Sequence, residues 1–175
     1  MNAPPSPPDL PTRSRTIEWS PPVLDLAEFR NLSGLEYLRH ALQAGQRPPP
    51  IGVLMNFSAA RFEEGLAVFE GTPDEFHYNP LGTVHGGFAA TMLDSALGCS
   101  VHSTLKAGFG YTTVELKINY VRAMTAKTGR VICEGRIISV GSRIATAEAR
   151  LTGADGKLYA HGTTTCLIFP LNEAA

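Results

Sequence analysis

The residues best suited to chemistry lie in one run, Asn79-Pro80-Leu81-Gly82-Thr83-Val84-His85-Gly86-Gly87-Phe88, which continues to Met92-Leu93-Asp94. Two adjacent glycines let a ligand approach the backbone closely, because no Cβ stands in the way. If a helix starts there, its first turn offers unpaired N–H groups and a partial positive charge. Such a site suits a carbonyl oxygen that is becoming an oxyanion. Asp94 follows among Met92, Leu93, Ala96 and Leu97. A carboxylate in that company is costly unless it has partners or a task. Each half alone is weak, since His-Gly-Gly is short and an Asp can sit on the exposed strip of a partly buried helix. On one helix, with Asn79 and His85 just upstream, they point to carbonyl activation beside a base or nucleophile.

The rest of the chain narrows the chemistry by what it lacks. His77, His85, His102 and His161 show no HxxxH or HExxH spacing, so no metal site is expected. Ser95, beside Asp94, has no GxSxG setting of a nucleophile elbow. Cys99, Cys133 and Cys166 are odd in number and form no CxxC, which argues against a disulfide scaffold and for a reducing compartment. Fifteen basic against sixteen acidic residues leave a formal net charge of -1. Gripping nucleic acid needs a basic excess, so that partner is not expected. A small anionic ligand held by a few local cations remains compatible. Met1 to Pro11 has neither a basic n-region nor an apolar core of a secretory signal, and no stretch reads as a membrane span. The expectation is a soluble, cytoplasmic chain that needs no cofactor.

The elements that must position these residues follow from proline and periodicity. Of thirteen prolines, all but Pro73, Pro80 and Pro170 lie in the first fifty residues, so a sheet belongs to the later part. Residues 1–22 read as a proline-rich tail, and 23–170 as a single domain with an N-terminal helical extension. Leu35, Leu38, Ala41 and Leu42 recur at helical spacing behind Ser33, a candidate N-cap with Glu36 three residues on, and the helix ends near Gly45 and Pro48-Pro49-Pro50. Leu66–Glu70 reads as a strand and Pro80–Gly82 as a turn. Gly86 to about Thr104 reads as a buried helix, apolar over most of its circumference. Four β-like runs follow: Tyr111–Val121, Arg130–Val140, Arg143–Thr152 and Lys157–Phe169, separated by turn signals at Gly129, Gly141-Ser142 and Asp155-Gly156. In the first, Val114, Leu116, Ile118 and Tyr120 alternate with polar residues, the period of a half-buried strand. Short connections make the strands antiparallel, and the fold class is α+β, with the sheet curled around one helix. Its open edges favour self-association.

The run NPLGTVHGGFAATMLDSALG resembles the signature of hotdog-fold thioesterases, in the phenylacetic-acid-degradation (PaaI-like) branch of the 4-hydroxybenzoyl-CoA thioesterase superfamily. The resemblance extends through TTVELKINYVR, VGSRIATAEARL and DGKLYAHGTTTCLIF, covering about Pro48 to Phe169. It implies a hotdog fold, a homodimer or a homotetramer built from two dimers, and active sites shared between two chains. Carried onto this sequence, the Gly86 N–H would polarise a thioester carbonyl, while Asn79 and His85 orient substrate or water. Asp94 of the neighbouring chain would act as general base or nucleophile, and Thr113 stands where relatives place a Ser or Thr that holds the water. Gly87, Arg122, Gly141, Ser142 and Arg143 stand where relatives meet coenzyme A. Asp rather than the Glu of the other large branch shortens the reach of the carboxylate and favours the water-mediated route.

The resulting expectation is an acyl-CoA thioesterase acting on an acyl- or aryl-CoA thioester. The alternative is a non-catalytic acyl-CoA binding protein on the same fold, which Asp94 disfavours because a pure binder needs no carboxylate near a thioester. Leu54, Met55, Phe57 and Phe88 are candidate linings of the acyl pocket.

Overall fold

The computed structural model describes residues 11–21, 30–43 and 48–171. Segment 11–21 contains neither helix nor strand. Arg15 ties it to the domain, donating to the carbonyls of Val53 (2.9 Å) and Leu54 (3.2 Å) while lying 4.0 Å from the centre of the Phe76 ring. The rest of the expected tail lies outside the described residues, as does the expected helix end near Gly45.

Helix α1 (Gly34–Gln43) starts as its sequence requires. The Glu36 carboxylate accepts from the Ser33 N–H at 2.8 Å and from its hydroxyl at 2.6 Å, and the Ser33 oxygen accepts from the Glu36 N–H at 3.4 Å. Such a reciprocal cap gives partners to two backbone donors at the helix start. The three prolines after it do more than stop α1. Pro50 opens a second short helix, α2 (Pro50–Met55), in whose first turn a missing N–H costs nothing. Asn56, at φ 55°, ends α2 and turns the chain into β1 (Phe57–Glu63). Neither α2 nor β1 is legible from periodicity. The register of β1 against β2 shifts between Ala59 and Arg61, which breaks the alternation expected of a strand.

The remaining elements agree with the expected ones: β2 (Leu66–Gly71), α3 (Gly86–His102), β3 (Phe109–Tyr120), β4 (Val131–Val140), β5 (Ile144–Gly153) and β6 (Leu158–Pro170). The strands form one antiparallel sheet in the order β1-β2-β4-β5-β6-β3, so β3 joins at an edge after the chain has crossed over. Helix α3 touches all six strands, which is what a sheet curled around one helix requires. Met92, Leu93, Ala96, Leu97 and Val101 are fully buried at that contact. Helix and sheet approach so closely that a Cβ on Gly135 of β4 would stand 2.3 Å from the Ala96 carbonyl oxygen.

Strand β3 departs from the expected alternation. Leu116 and Ile118 are half-buried as anticipated, but Val114 and Tyr120 are 56% and 58% exposed. The β3–β6 register shifts between Thr113 and Glu115, leaving Val114 as an extra, unpaired residue. A bulge of one residue reverses which side chains face the helix. Upstream of it the odd-numbered Tyr111 and Thr113 turn inward; downstream the even-numbered Leu116 and Ile118 do.

Candidate active site

The loop before α3 is held by its own polar groups. The Asn79 Oδ1 accepts from the N–H of Leu81 (2.9 Å) and of Thr83 (3.3 Å), and Nδ2 donates to Thr83 Oγ1 at 3.0 Å. Asn79 also donates its N–H to the Thr83 carbonyl at 2.8 Å, around a turn in which Gly82 adopts φ 75°. Asn79 thus shapes the loop. The His85 N–H then donates to the His77 carbonyl at 2.7 Å and brings the chain to the helix start.

His85 is the N-cap of α3. Its Nδ1 accepts from the Gly87 N–H at 2.9 Å, and its carbonyl accepts from the Phe88 N–H at 3.0 Å. Those two bonds satisfy the second and third donors of the helix. The Gly86 N–H has no hydrogen-bond partner among the described residues, so the first turn presents one free donor. Gly87 offers the absence of a side chain rather than an N–H. The Tyr120 ring covers Gly86: a Cβ there would meet the ring at 3.0 Å, and the Tyr120 hydroxyl donates to the Gly86 carbonyl at 3.3 Å.

Asp94 is exposed in the single chain, where the sequence suggested burial among apolar neighbours. The apolar arc of α3 is wide but not closed, and Asp94 lies on its remaining strip, opposite β3. There the Thr113 hydroxyl donates to Asp94 Oδ1 at 3.1 Å. The bulge at Val114 makes this contact possible by turning Thr113 inward. Beside Asp94 opens a cavity of about 370 Å³ whose walls include Ser95, Cys99 and Tyr111. Burial, with a smaller push from Asp94, raises the Cys99 thiol to about 12. Burial also holds the Tyr111 hydroxyl well above its usual range. Both stay protonated at neutral pH, which leaves Asp94 as the carboxylate that lines this cavity.

The expected site residues fall into two groups. Gly86 and Arg122 line a separate cavity, also about 370 Å³, with Val84, Met124 and Tyr159, and Asn79, His85 and Gly87 adjoin it along the chain. Asp94 and Thr113 occupy the other end, where the Gly141-Ser142-Arg143 turn also lies. The Arg143 carbonyl accepts from the Ile168 N–H at 2.8 Å, and Cys166, two residues before Ile168, pairs with Thr113. Eight residues of helix separate Gly86 from Asp94 by about 12 Å along the axis. No single carbonyl group reaches both within one chain. Of the expected pocket residues, Phe57 lines the Asp94 cavity, whereas Leu54, Met55 and Phe88 do not. Tyr111 and Tyr120 flank the two groups, and only their register on β3 would have revealed that.

A further cavity, of about 500 Å³, holds none of these residues. It lies between Arg15, α2 and β2, and its charges are already matched: Arg15 by the α2 carbonyls and Arg130 by Glu70 at 2.7 Å.

Comparison with known proteins matches the family described as Thioesterase superfamily to residues 81–160, which hold Gly86, Asp94 and Thr113. The chain is 35% identical to mouse acyl-coenzyme A thioesterase 13 over 94 residues, covering 53% of this chain and 65% of that protein. It is 31% identical to the human protein of the same name over 103 residues, covering 58% of this chain and 71% of the other. It thus spans just under two thirds of the mouse protein and somewhat more of the human one. Among solved structures, a mutant of the phenylacetic acid degradation protein PaaI from Thermus thermophilus superposes with a TM-score of 0.61 at 26% identity. That match covers 67% of this chain and 97% of the other.

Proposed function

The chain belongs to the thioesterase superfamily, and on that premise we propose that it hydrolyses an acyl- or aryl-CoA thioester to the free acid and CoA. The observation that carries the reading is the pairing of one free helix-start donor, Gly86 N–H, with one carboxylate held by a hydroxyl, Asp94 by Thr113. The Gly86 N–H receives the thioester oxygen as negative charge develops on it. Thr113 holds Asp94 Oδ1, which leaves Oδ2 for the reaction. Asp94 either takes a proton from water as the water oxygen bonds to the acyl carbon, or bonds to that carbon itself before water releases the acid. In both routes the C–S bond breaks and the departing thiolate takes up a proton. An oxyanion donor contributes about 3 kcal/mol and a positioned base about two to four decades in rate.

The site is assembled from two chains. Strand β3 lies at the open edge of the sheet and carries exposed Val114 and Tyr120. Antiparallel pairing of two β3 edges sets the Thr113 end of one chain against the Tyr120 end of its copy. Asp94 of one chain then meets the Gly86 donor of the other, across a distance that a single chain does not bridge. A homodimer is the minimum assembly, and two dimers forming a tetramer keep the same sites. Arg122 on one side, and Arg143 in its turn on the other, receive the phosphates of CoA.

The test is thiol release from a panel of acyl- and aryl-CoA substrates by wild-type protein and Asp94→Asn. Release by the wild type and its loss in the variant support hydrolysis. Retained binding without release in the wild type identifies a CoA-thioester binding protein instead.

A further inference from the structure

Resting on the reading that a CoA thioester is the substrate, we propose that helix α1 is the acyl-length ruler of the site, with Ala41 and Leu42 setting the longest chain it accepts. Helix α1 precedes residues 81–160, the part that the family match covers. The cavity beside Asp94 is lined on that side by Leu38, Ala41 and Leu42 of α1 and by Ile51 of α2. Phe62 and Phe69, edge to face at 5.9 Å, line it from the sheet side. Ser95 donates its hydroxyl back to the Thr91 carbonyl at 2.9 Å, so its polarity is already satisfied by its own helix. Asp94 is the one charged side chain among the described lining residues. An acyl group whose carbonyl carbon sits at Asp94 therefore has an apolar path leading towards α1.

Two quantities name the class of acyl group. The cavity volume is about 370 Å³. A methylene-sized group needs about as much room as a water, roughly 30 Å³, so about twelve such groups fill it. An aryl ring fills only about half, leaving apolar wall uncovered. Leu42 and Ile51 are also 38% and 45% exposed, large apolar surfaces at the cavity that a longer chain covers. The site therefore favours a saturated aliphatic chain of roughly eight to twelve carbons over an aryl group. Each added methylene within the cavity raises affinity about fourfold until the wall is reached.

The experiment measures binding of alkyl-CoA thioethers, which cannot be hydrolysed, from butyl to hexadecyl, by calorimetry on full-length protein. Wild type is compared with Ala41→Trp and with Leu42→Trp, the latter at a more exposed position that accepts a larger side chain without repacking the core. The expected result is a rise of about fourfold per methylene that levels off near twelve carbons in the wild type. In the variants it levels off roughly four carbons earlier, lowering the dodecyl-to-butyl affinity ratio by roughly two hundredfold. Length profiles that coincide in all three proteins, or a wild-type affinity flat with length, overturn the ruler. Because the readout is binding, an absence of hydrolysis in a parallel thiol-release assay takes down the proposed activity separately.

Discussion

The start and the middle of helix α3 hold the two halves of the proposed site in opposite ways. At the start, Asn79 and Thr83 satisfy one another, His85 accepts from the Gly87 N–H, and one donor, Gly86 N–H, is left over. In the middle, Asp94 has one hydrogen-bond partner among the described residues, Thr113, and otherwise faces outward. The first half is finished by local sequence. The second depends on a strand that is distant in sequence and on whatever covers it. A rigid donor is useful for binding an oxyanion because it needs no reorganisation when charge appears. An open carboxylate can meet water and a substrate that arrives from another chain.

The sharpest way to break this contrast is to replace Asp94. Asp94→Asn keeps the shape and the Thr113 contact but removes the basic or nucleophilic oxygen. The expected loss in kcat is on the order of a hundredfold or more, with substrate binding kept and an unchanged melting temperature. A lowered Tm with near-normal kcat would make Asp94 structural, like the residues at the helix start.

The C-terminal end of the helix supplies a control of the opposite kind. His102 is buried against Tyr37 and Tyr111, with ring centroids 5.8 Å and 5.5 Å away, and burial lowers it to about 4. Its folded value lies below the unfolded one, near 6.5, so the unfolded chain binds more protons between them. Stability is therefore full above pH 6.5 and falls as the pH drops towards 4, by about 2 kcal/mol at pH 5. Denaturant melts at pH 5 and 7.5 measure this, and His102→Phe should flatten the slope. An unchanged slope would assign the acid sensitivity to another group.

A smaller effect is expected at the link between the strand and the helix. Thr113→Val removes the hydroxyl that orients Asp94 and should lower kcat by about tenfold, whereas Thr113→Ser restores most of it. A larger loss in Thr113→Ser than in Thr113→Val would mean that the methyl group, not the hydroxyl, is what matters.

What the sequence disclosed follows the same division. The capping residues Ser33 and Glu36, the turn after Asn79 and the apolar length of α3 act through near neighbours, so their outcome is written in adjacent residues. The exposure of Asp94 was hidden because it depends on where the apolar arc of α3 ends against the sheet. The inward turn of Thr113 was hidden because the bulge at Val114 leaves no mark in an otherwise regular alternation. Helix α2 was masked by prolines that signal a stop and a start alike. The resemblance named Thr113 and Asp94 separately, and the structure adds the contact between them. It also separates Gly86 from Asp94, which no spacing along one helix can repair.

In the proposed site one chain supplies the donor and another the carboxylate. This is tested most directly by mixing two inactive proteins, Asp94→Asn and Asn79→Ala, the second lacking the side chain that shapes the Gly86 loop. In a mixed dimer one site combines both intact halves, while the other site lacks both. With subunit exchange demonstrated by mass-tagged chains, activity should return, to about a quarter of the wild-type value at equal mixing. Exchange without any return of activity would contradict the shared site and place Asp94 and Gly86 in separate roles within their own chains.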